Sequence, residues 1–476
     1  MNVISHSILP FFAMLVVLIV VHELGHFVTA KIAGVKVLQF GLGYPPRLFG
    51  IKFGETEYTI NALPLGGFVQ LLGEEDPSDP RSLAAKPRWV RVIVLGSGAV
   101  MNVILAIFLF SLALMIPRDV DISRAQIGDV IPGSPAAEAD LKPGDQIFAV
   151  NGTEVESAGE LGYQIRLNLG KTIEFKVRRT ESGSAEFIDI PVHARWSAGP
   201  YTYRTQLDAP VDANAQPPIA VHVPSTEGFD NSSVLVIDDG TPAEERFEYC
   251  VDDATTLILM ERGLEDLPQS AHAAGAPVIT KVSQGPTGIT IGPAYTNPVR
   301  LTEEERKQLE EQLTPCDDEV PAIVGVPISD TRRSGPATAV VDGSKRAWES
   351  VVLARNEIIS RIRGGVGGSG GFQVTGPVGI AQLTGEVVEE AGWKSLMEFA
   401  GLISMNLAIL NILPLPMLDG GRVTFVLIEY VRGGRRIAPE REAMVHFVGM
   451  VLMLALAAVI TFFDISRIWQ GEGIIR

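Results

Sequence analysis

The sequence predicts a polytopic α-helical membrane protein with four transmembrane helices, a membrane-associated β-loop and an external α/β domain. Three observations carry that prediction. The 476-residue chain is 46% hydrophobic, too apolar for a soluble protein of this length. Four apolar stretches, near Ile8–Ala30, Val92–Ile116, Leu396–Leu418 and Met444–Phe463, are each long enough to span a bilayer. The net charge of −17 is confined to one segment: residues 118–340 hold roughly twice as many acidic as basic side chains, and the remainder is near neutral.

Charge also orients the chain. Basic residues outside the acidic segment fall in two groups: Lys31, Lys36, Arg47, Lys52, Lys86, Arg88 and Arg91, and then Arg422, Arg432, Arg435, Arg436 and Arg441. The positive-inside rule places both groups in the cytoplasm, so both termini and the acidic segment are expected outside. An acidic segment offers no purchase to nucleic acid. The first stretch lacks a basic leader and a small-residue cleavage pattern, so it reads as a retained helix, not a signal peptide.

That first crossing carries His22-Glu23-Leu24-Gly25-His26. Histidines four apart share one face of a helix and can share one metal ion. Glu23 is placed to act as general base on an activated water. Ionisable side chains at bilayer depth are costly and mark function. The following loop is rich in glycine and β-formers, and Leu63–Leu71 is apolar and broken by Pro64, Gly66 and Gly67. It reads either as a hairpin re-entering the membrane beside the site or as a surface hairpin. In the second crossing Gly96-Ser97-Gly98 permits close helix packing, and Asn102 at bilayer depth requires a partner inside the bundle.

From Ala125 to Val192 the chain reads as a compact α/β unit, with strands at Ile127–Ile131, Phe148–Val150 and Lys171–Val177 and a turn at Asn151-Gly152. Residues 196–320 are an external insertion of unknown fold, containing a Thr-capped helix at Leu301–Leu313. The only two cysteines, Cys250 and Cys316, lie in this region, where an oxidising compartment would permit a disulfide. Residues 321–395 form an external linker with an amphipathic helix over Ala337–Ile362 and a glycine-rich hinge at Gly364–Gly371. The third crossing ends in Asn411-Ile412-Leu413-Pro414-Leu415-Pro416-Met417-Leu418-Asp419-Gly420-Gly421. Its prolines break the helix. Asp419 then supplies the third protein ligand that a catalytic zinc needs, with a fourth position open to water.

The pattern G-S-P-A-A followed by L-K-P-G-D-Q-I and V-N-G, from Gly133 to Gly152, closely resembles a bacterial PDZ domain, which places such a domain at 118–195. H-E-L-G-H, the P-L-G-G-F-V loop, one PDZ-like unit and N-x-L-P-x-P-x-L-D-G-G occur in that order. Together they resemble the site-2 protease family of intramembrane zinc metalloproteases, in its bacterial regulator-of-sigma-E protease group. The motif-bearing segments are then 1–117, with the first two helices and the β-loop, and 396–476, with the last two. The resemblance implies that His22, His26 and Asp419 bind Zn2+ and that Glu23 is the catalytic acid and base. It implies that Asn411 contacts the substrate backbone and that Gly66, Gly67, Phe68 and Val69 pair with an extended substrate.

The resemblance further implies regulated intramembrane proteolysis in the cell's inner membrane, with the active site near the cytoplasmic face. Substrates would be membrane-anchored proteins, such as anti-sigma factors, already trimmed by another protease. The PDZ groove would take a peptide or C-terminus by strand addition. Members often carry G-P-x-x-N in the second crossing, where this chain has Gly98-Ala99-Val100-Met101-Asn102. The enterobacterial type has two PDZ domains, and one is legible here. Two other classes compete. One is a catalytically inactive PDZ-containing receptor or scaffold, against which both intact motifs argue. The other is a metal transporter, against which the single three-ligand site and the absence of a visible inverted repeat argue.

Overall fold

A computed structural model describes residues 9–469 apart from 75, 182–183, 198–200, 230–233, 263, 265–268, 283–284, 311–322 and 365–375. The chain divides into two compact units. The first comprises Met1–Arg118, Thr331–Arg355 and Gln373–Arg476, and the second Asp119–Asp330 and Asn356–Phe372.

The first unit opens with helix α1 (Leu9–Ile32), strands β1 (Val37–Phe53) and β2 (Thr56–Leu71) and helix α2 (Arg88–Met115). Both strands are long and contribute twice to one small sheet. Residues 37–44 lie beside 63–71, with Phe40 opposite Val69 and Leu42 opposite Gly67, while 47–53 lie beside 56–61. The 63–71 stretch pairs on one side only, among the described residues.

The second unit begins with β3 (Arg118–Asp121) and builds a sheet from β4 (Ala125–Val130), β5 (Gln146–Val150), β6 (Thr153–Glu154), β7 (Thr172–Glu181) and β8 (Ser184–His193). Helices α3 (Pro135–Glu138) and α4 (Ala158–Leu167) accompany it. Asn151 and Gly152 take φ of 48° and 76°. They form the two-residue hairpin that an Asn-Gly pair favours, because both positions need left-handed backbone. A core of Ile127, Ile147, Leu161, Ile165, Ile173 and Phe175 is almost fully buried.

Next come β9 (Tyr201–Gln206), β10 (Ile219–His222), β11 (Val234–Ile237), β12 (Glu245–Asp253), β13 (Thr256–Arg262) and β14 (Pro277–Val282). They form a separate sheet in the order β10-β13-β12-β11-β14-β9 around Leu235, Phe247 and Leu259. The chain then returns: β15 (Ile289–Pro293) pairs with β4, giving the order β15-β4-β5-β7-β8. The first sheet of this unit therefore draws an edge strand from far beyond residue 195, the boundary expected from sequence. The β9–β14 sheet is inserted within it. A local pattern that stops at β8 cannot reveal a strand supplied almost 100 residues later. Cys250 is buried on β12, and Cys316 lies outside the described residues, as does most of Gly364–Gly371.

The remaining elements are β16 (Thr296–Arg300), α5 (Glu303–Glu310), β17 (Ile323–Pro327), β18 (Ser329–Arg332), α6 (Pro336–Gly364), α7 (Pro377–Ile412), α8 (Asp419–Val431) and α9 (Pro439–Trp469). Within the first unit α6 packs Ala347 and Val351 against Ala106 and Phe110 of α2 and Met405 of α7, leaving Val341 and Trp348 exposed. Helix α7 breaks at Gly392, whose φ of 73° and ψ of −178° belong to a region open to glycine alone.

Among the described residues, four helical segments are long and apolar enough to cross a membrane: Leu9–Ile32, Arg88–Met115, Gly392–Ile412 and Pro439–Ser466. The third stops six residues short of its expected end at Leu418, because Pro414 and Pro416 cannot continue it. Met14 and Leu18 of α1, Leu105 of α2 and Ala400 of α7 form the shared bundle core.

Candidate metal centre

Helix α1 presents His22 and His26 one turn apart, and α8 begins at Asp419. The three side chains converge. His22 Nε2 lies 3.1 Å and His26 Nε2 3.2 Å from the same Asp419 oxygen, Oδ2, and the two ring nitrogens are 3.3 Å apart. Tetrahedral donors about 2.0–2.1 Å from one zinc stand about 3.3 Å from each other. Two imidazoles and one carboxylate with that spacing fit zinc, with a fourth direction left over. All three side chains are largely buried, at 11–19% exposure.

Glycines bring the elements this close. A Cβ on Gly98 of α2 would stand 2.4 Å from His26 Nε2 and 2.6 Å from His22 Nε2, and one on Gly25 would stand 2.5 Å from the Ser97 carbonyl oxygen. At the other side of the site, a Cβ on Gly420 would lie 2.1 Å from Leu413 O, and one on Gly421 2.3 Å from Leu415 O. The Asp-Gly-Gly sequence thus lets α8 start tightly against the loop that ends the third crossing. Helix propensity alone would make Gly98→Ala stabilising by about 1 kcal/mol. Here the steric term decides: zinc content should fall well below one per chain with helicity retained, measured by elemental analysis and circular dichroism.

The rings are held from behind. His26 Nδ1–H donates to the Val94 carbonyl at 2.8 Å, a buried bond that leaves Nε2 as the donor atom facing Asp419. His22 Nδ1 lies 3.3 Å from the amide of Asn102, which is 1% exposed; the Asn102 backbone carbonyl accepts from Ser404 Oγ at 2.8 Å. The structure sets Asn102 Nδ2 toward the ring and leaves Oδ1 buried without a partner among the described residues; exchanging the two amide atoms lets Oδ1 accept His22 Nδ1–H, which presents His22 Nε2 to a metal. Asn102 therefore meets a ligand ring of the site, a role its sequence context does not distinguish from packing.

Glu23 is half-buried on α1, beside the 63–71 edge: a Cβ on Gly67 would stand 3.2 Å from Glu23 Cγ, and the Val69 backbone amide faces the carboxylate. Gly66 is buried, and Phe68 covers Gly41, whose Cβ would lie 2.4 Å from the phenyl ring. Asn411 lies near the end of α7, and among the described residues its side chain makes no hydrogen bond.

A second polar cluster, absent from the sequence-level expectations, anchors the far end of α8. Glu429, 7% exposed, accepts from Arg91 Nη1 at 2.7 Å and Arg88 Nε at 3.1 Å, with Arg436 Nε 3.6 Å away. Burial pushes this carboxyl up, but the bonds from Arg91 and Arg88 outweigh it and hold the group below the usual carboxylate range. A helix that starts at Asp419 is thus tied to α2 ten residues later.

The model of peptidase family M50 matches residues 10–456. Regulator of sigma-E protease RseP of Escherichia coli is 28% identical over 96% of this chain and 98% of its own length. The regulator of sigma E protease of Salmonella typhi is 29% identical over 97% of this chain and 99% of its own. A Ralstonia nicotianae protein that carries the provisional name zinc metalloprotease RSc1411 is 27% identical over 98% of this chain and its own full length.

Proposed function

The chain belongs to peptidase family M50 and is a zinc metalloprotease, and from that premise we propose that it cleaves membrane-anchored regulatory proteins, such as anti-sigma factors, within the bilayer. The observation that carries this reading is the convergence of His22, His26 and Asp419 between helices of membrane-spanning length. These three residues hold the zinc, which when bound supplies a Lewis acid that activates water and polarises a carbonyl.

Glu23 accepts the proton of the attacking water through its carboxylate and returns it to the leaving amide nitrogen. A helical substrate hides its peptide bonds, so it must be held extended for attack. The one-sided edge at Gly66, Gly67, Phe68 and Val69, next to Glu23, suits strand addition. Asn411 holds the substrate backbone.

Basic side chains support a cytoplasmic position for this end of the bundle. Lys31 closes α1, Arg88 and Arg91 open α2, Arg422 lies in the first turn of α8 and Arg436 follows that helix. The second unit, with both termini, then lies outside. Its first sheet serves as a PDZ-type peptide reader, with β15 as the edge open to a peptide or C-terminus.

The test compares membrane-protein fragments from cells carrying wild type or Glu23→Gln. A fragment that ends inside a transmembrane segment and appears only with wild type identifies the substrate. Identical fragment sets in the two strains would refute intramembrane cleavage.

A further inference from the structure

We propose that His446 of the last membrane helix is a positioning residue for the loop that delivers Asp419. The inference rests on the reading of Asp419 as a zinc ligand. Residues 413–418 join α7 to α8, and Met417, two residues before Asp419, has a φ of 77°. Left-handed backbone is disfavoured for a residue with a β-carbon and persists where the surroundings impose it.

The imposing contact comes from α9. The Met417 backbone N–H donates to His446 Nδ1 at 2.8 Å. An Nδ1 that accepts places the ring proton on Nε2, and Nε2 is buried with no hydrogen-bond partner among the described residues. Burying a polar nitrogen unpaired is unfavourable, and the ring nevertheless makes this one bond, to the strained residue.

One turn further along α9, Gly449 gives the loop its seat: a Cβ there would stand 2.2 Å from Pro416 Cβ. From the other side Phe425 of α8 packs its ring 5.4 Å from that of His446. Pro416 and Met417 are thus held by α9 while the Gly420 and Gly421 backbone closes on Leu413 and Leu415. With its acceptor removed, Met417 can leave the left-handed region, and the start of α8 shifts with it. Asp419 Oδ2 lies 3.1 and 3.2 Å from the two imidazole nitrogens, close to the spacing of donors that share one zinc, so a small shift suffices to weaken the site.

The experiment uses the full-length protein purified in detergent and measures zinc affinity by chelator competition, alongside kcat and KM. His446→Phe keeps the ring and removes the acceptor. It is expected to lower zinc affinity about 10- to 100-fold, the range for partners behind a metal ligand, and to lower kcat with KM little changed. His446→Asn, whose amide oxygen can accept the same N–H, should restore most of both. Adding Met417→Gly to His446→Phe should recover part of the lost affinity, because glycine adopts positive φ without help.

Wild-type zinc affinity and kcat in His446→Phe would overturn the proposal, as would an Asn variant no better than Phe or a glycine that recovers nothing. Should His446→Phe not fold, His446→Leu carries the same prediction. Asp419→Asn separates the two levels. If it too retains wild-type zinc affinity, the ligand reading fails; if it loses zinc while His446→Phe does not, the positioning role alone fails.

Discussion

Glu23→Gln is expected to lower the rate of cleavage of a membrane-tethered substrate by about 10²–10⁴-fold, the usual range for a general acid–base residue, with one zinc per chain retained. Glutamine has nearly the same shape, so the close approach of Gly67 to this side chain survives. What disappears is a carboxylate able to take a proton from water. Glu23 is adjacent to His22 but outside the cluster of three ligands, so zinc content should not change. Cleavage assays and elemental analysis on the same preparation make the two effects separable. Full activity in Glu23→Gln would remove this residue from the mechanism, and loss of zinc would make it structural.

Asp419→Ala is expected to weaken zinc binding by more than about 100-fold, beyond the effect of residues that only support a ligand. The carboxylate is the only anionic member of the cluster and the only one from outside α1. Without it two imidazoles remain, 3.3 Å apart, and two ligands do not make a catalytic zinc site. Activity should fall in step with zinc content, because metal binding and chemistry share this group. Chelator competition reads the affinity directly. An Asp419→Ala protein that holds zinc like wild type would place the third ligand elsewhere.

The parts of this site visible in the sequence are those written in local patterns. The i,i+4 spacing puts His22 and His26 on one face whatever surrounds them, and the apolar run around them announces a membrane helix. Proline and Asp-Gly-Gly mark the end of the third crossing, although hydropathy alone carried it past Ile412 to Leu418. What stayed hidden depends on residues distant in the chain. The Val94 carbonyl behind His26, the Asn102 amide behind His22 and the Arg88, Arg91 and Glu429 cluster leave no periodic signal. Gly98 is readable as a packing glycine, but only its distance from both rings shows what it packs against. The same reasoning applies to β15: its partner β4 lies about 160 residues earlier, so its place in the sheet is a property of the fold and not of any window of sequence.

One zinc is expected between two histidines of the first helix and the aspartate that opens α8. X-ray absorption at the zinc edge of the purified full-length protein tests it most directly. The expected result is one zinc per chain with two imidazole nitrogens and oxygen in its shell at about 2.0–2.2 Å, and an altered or absent shell in Asp419→Asn. A sulfur ligand, no zinc, or a spectrum identical in wild type and Asp419→Asn would contradict it.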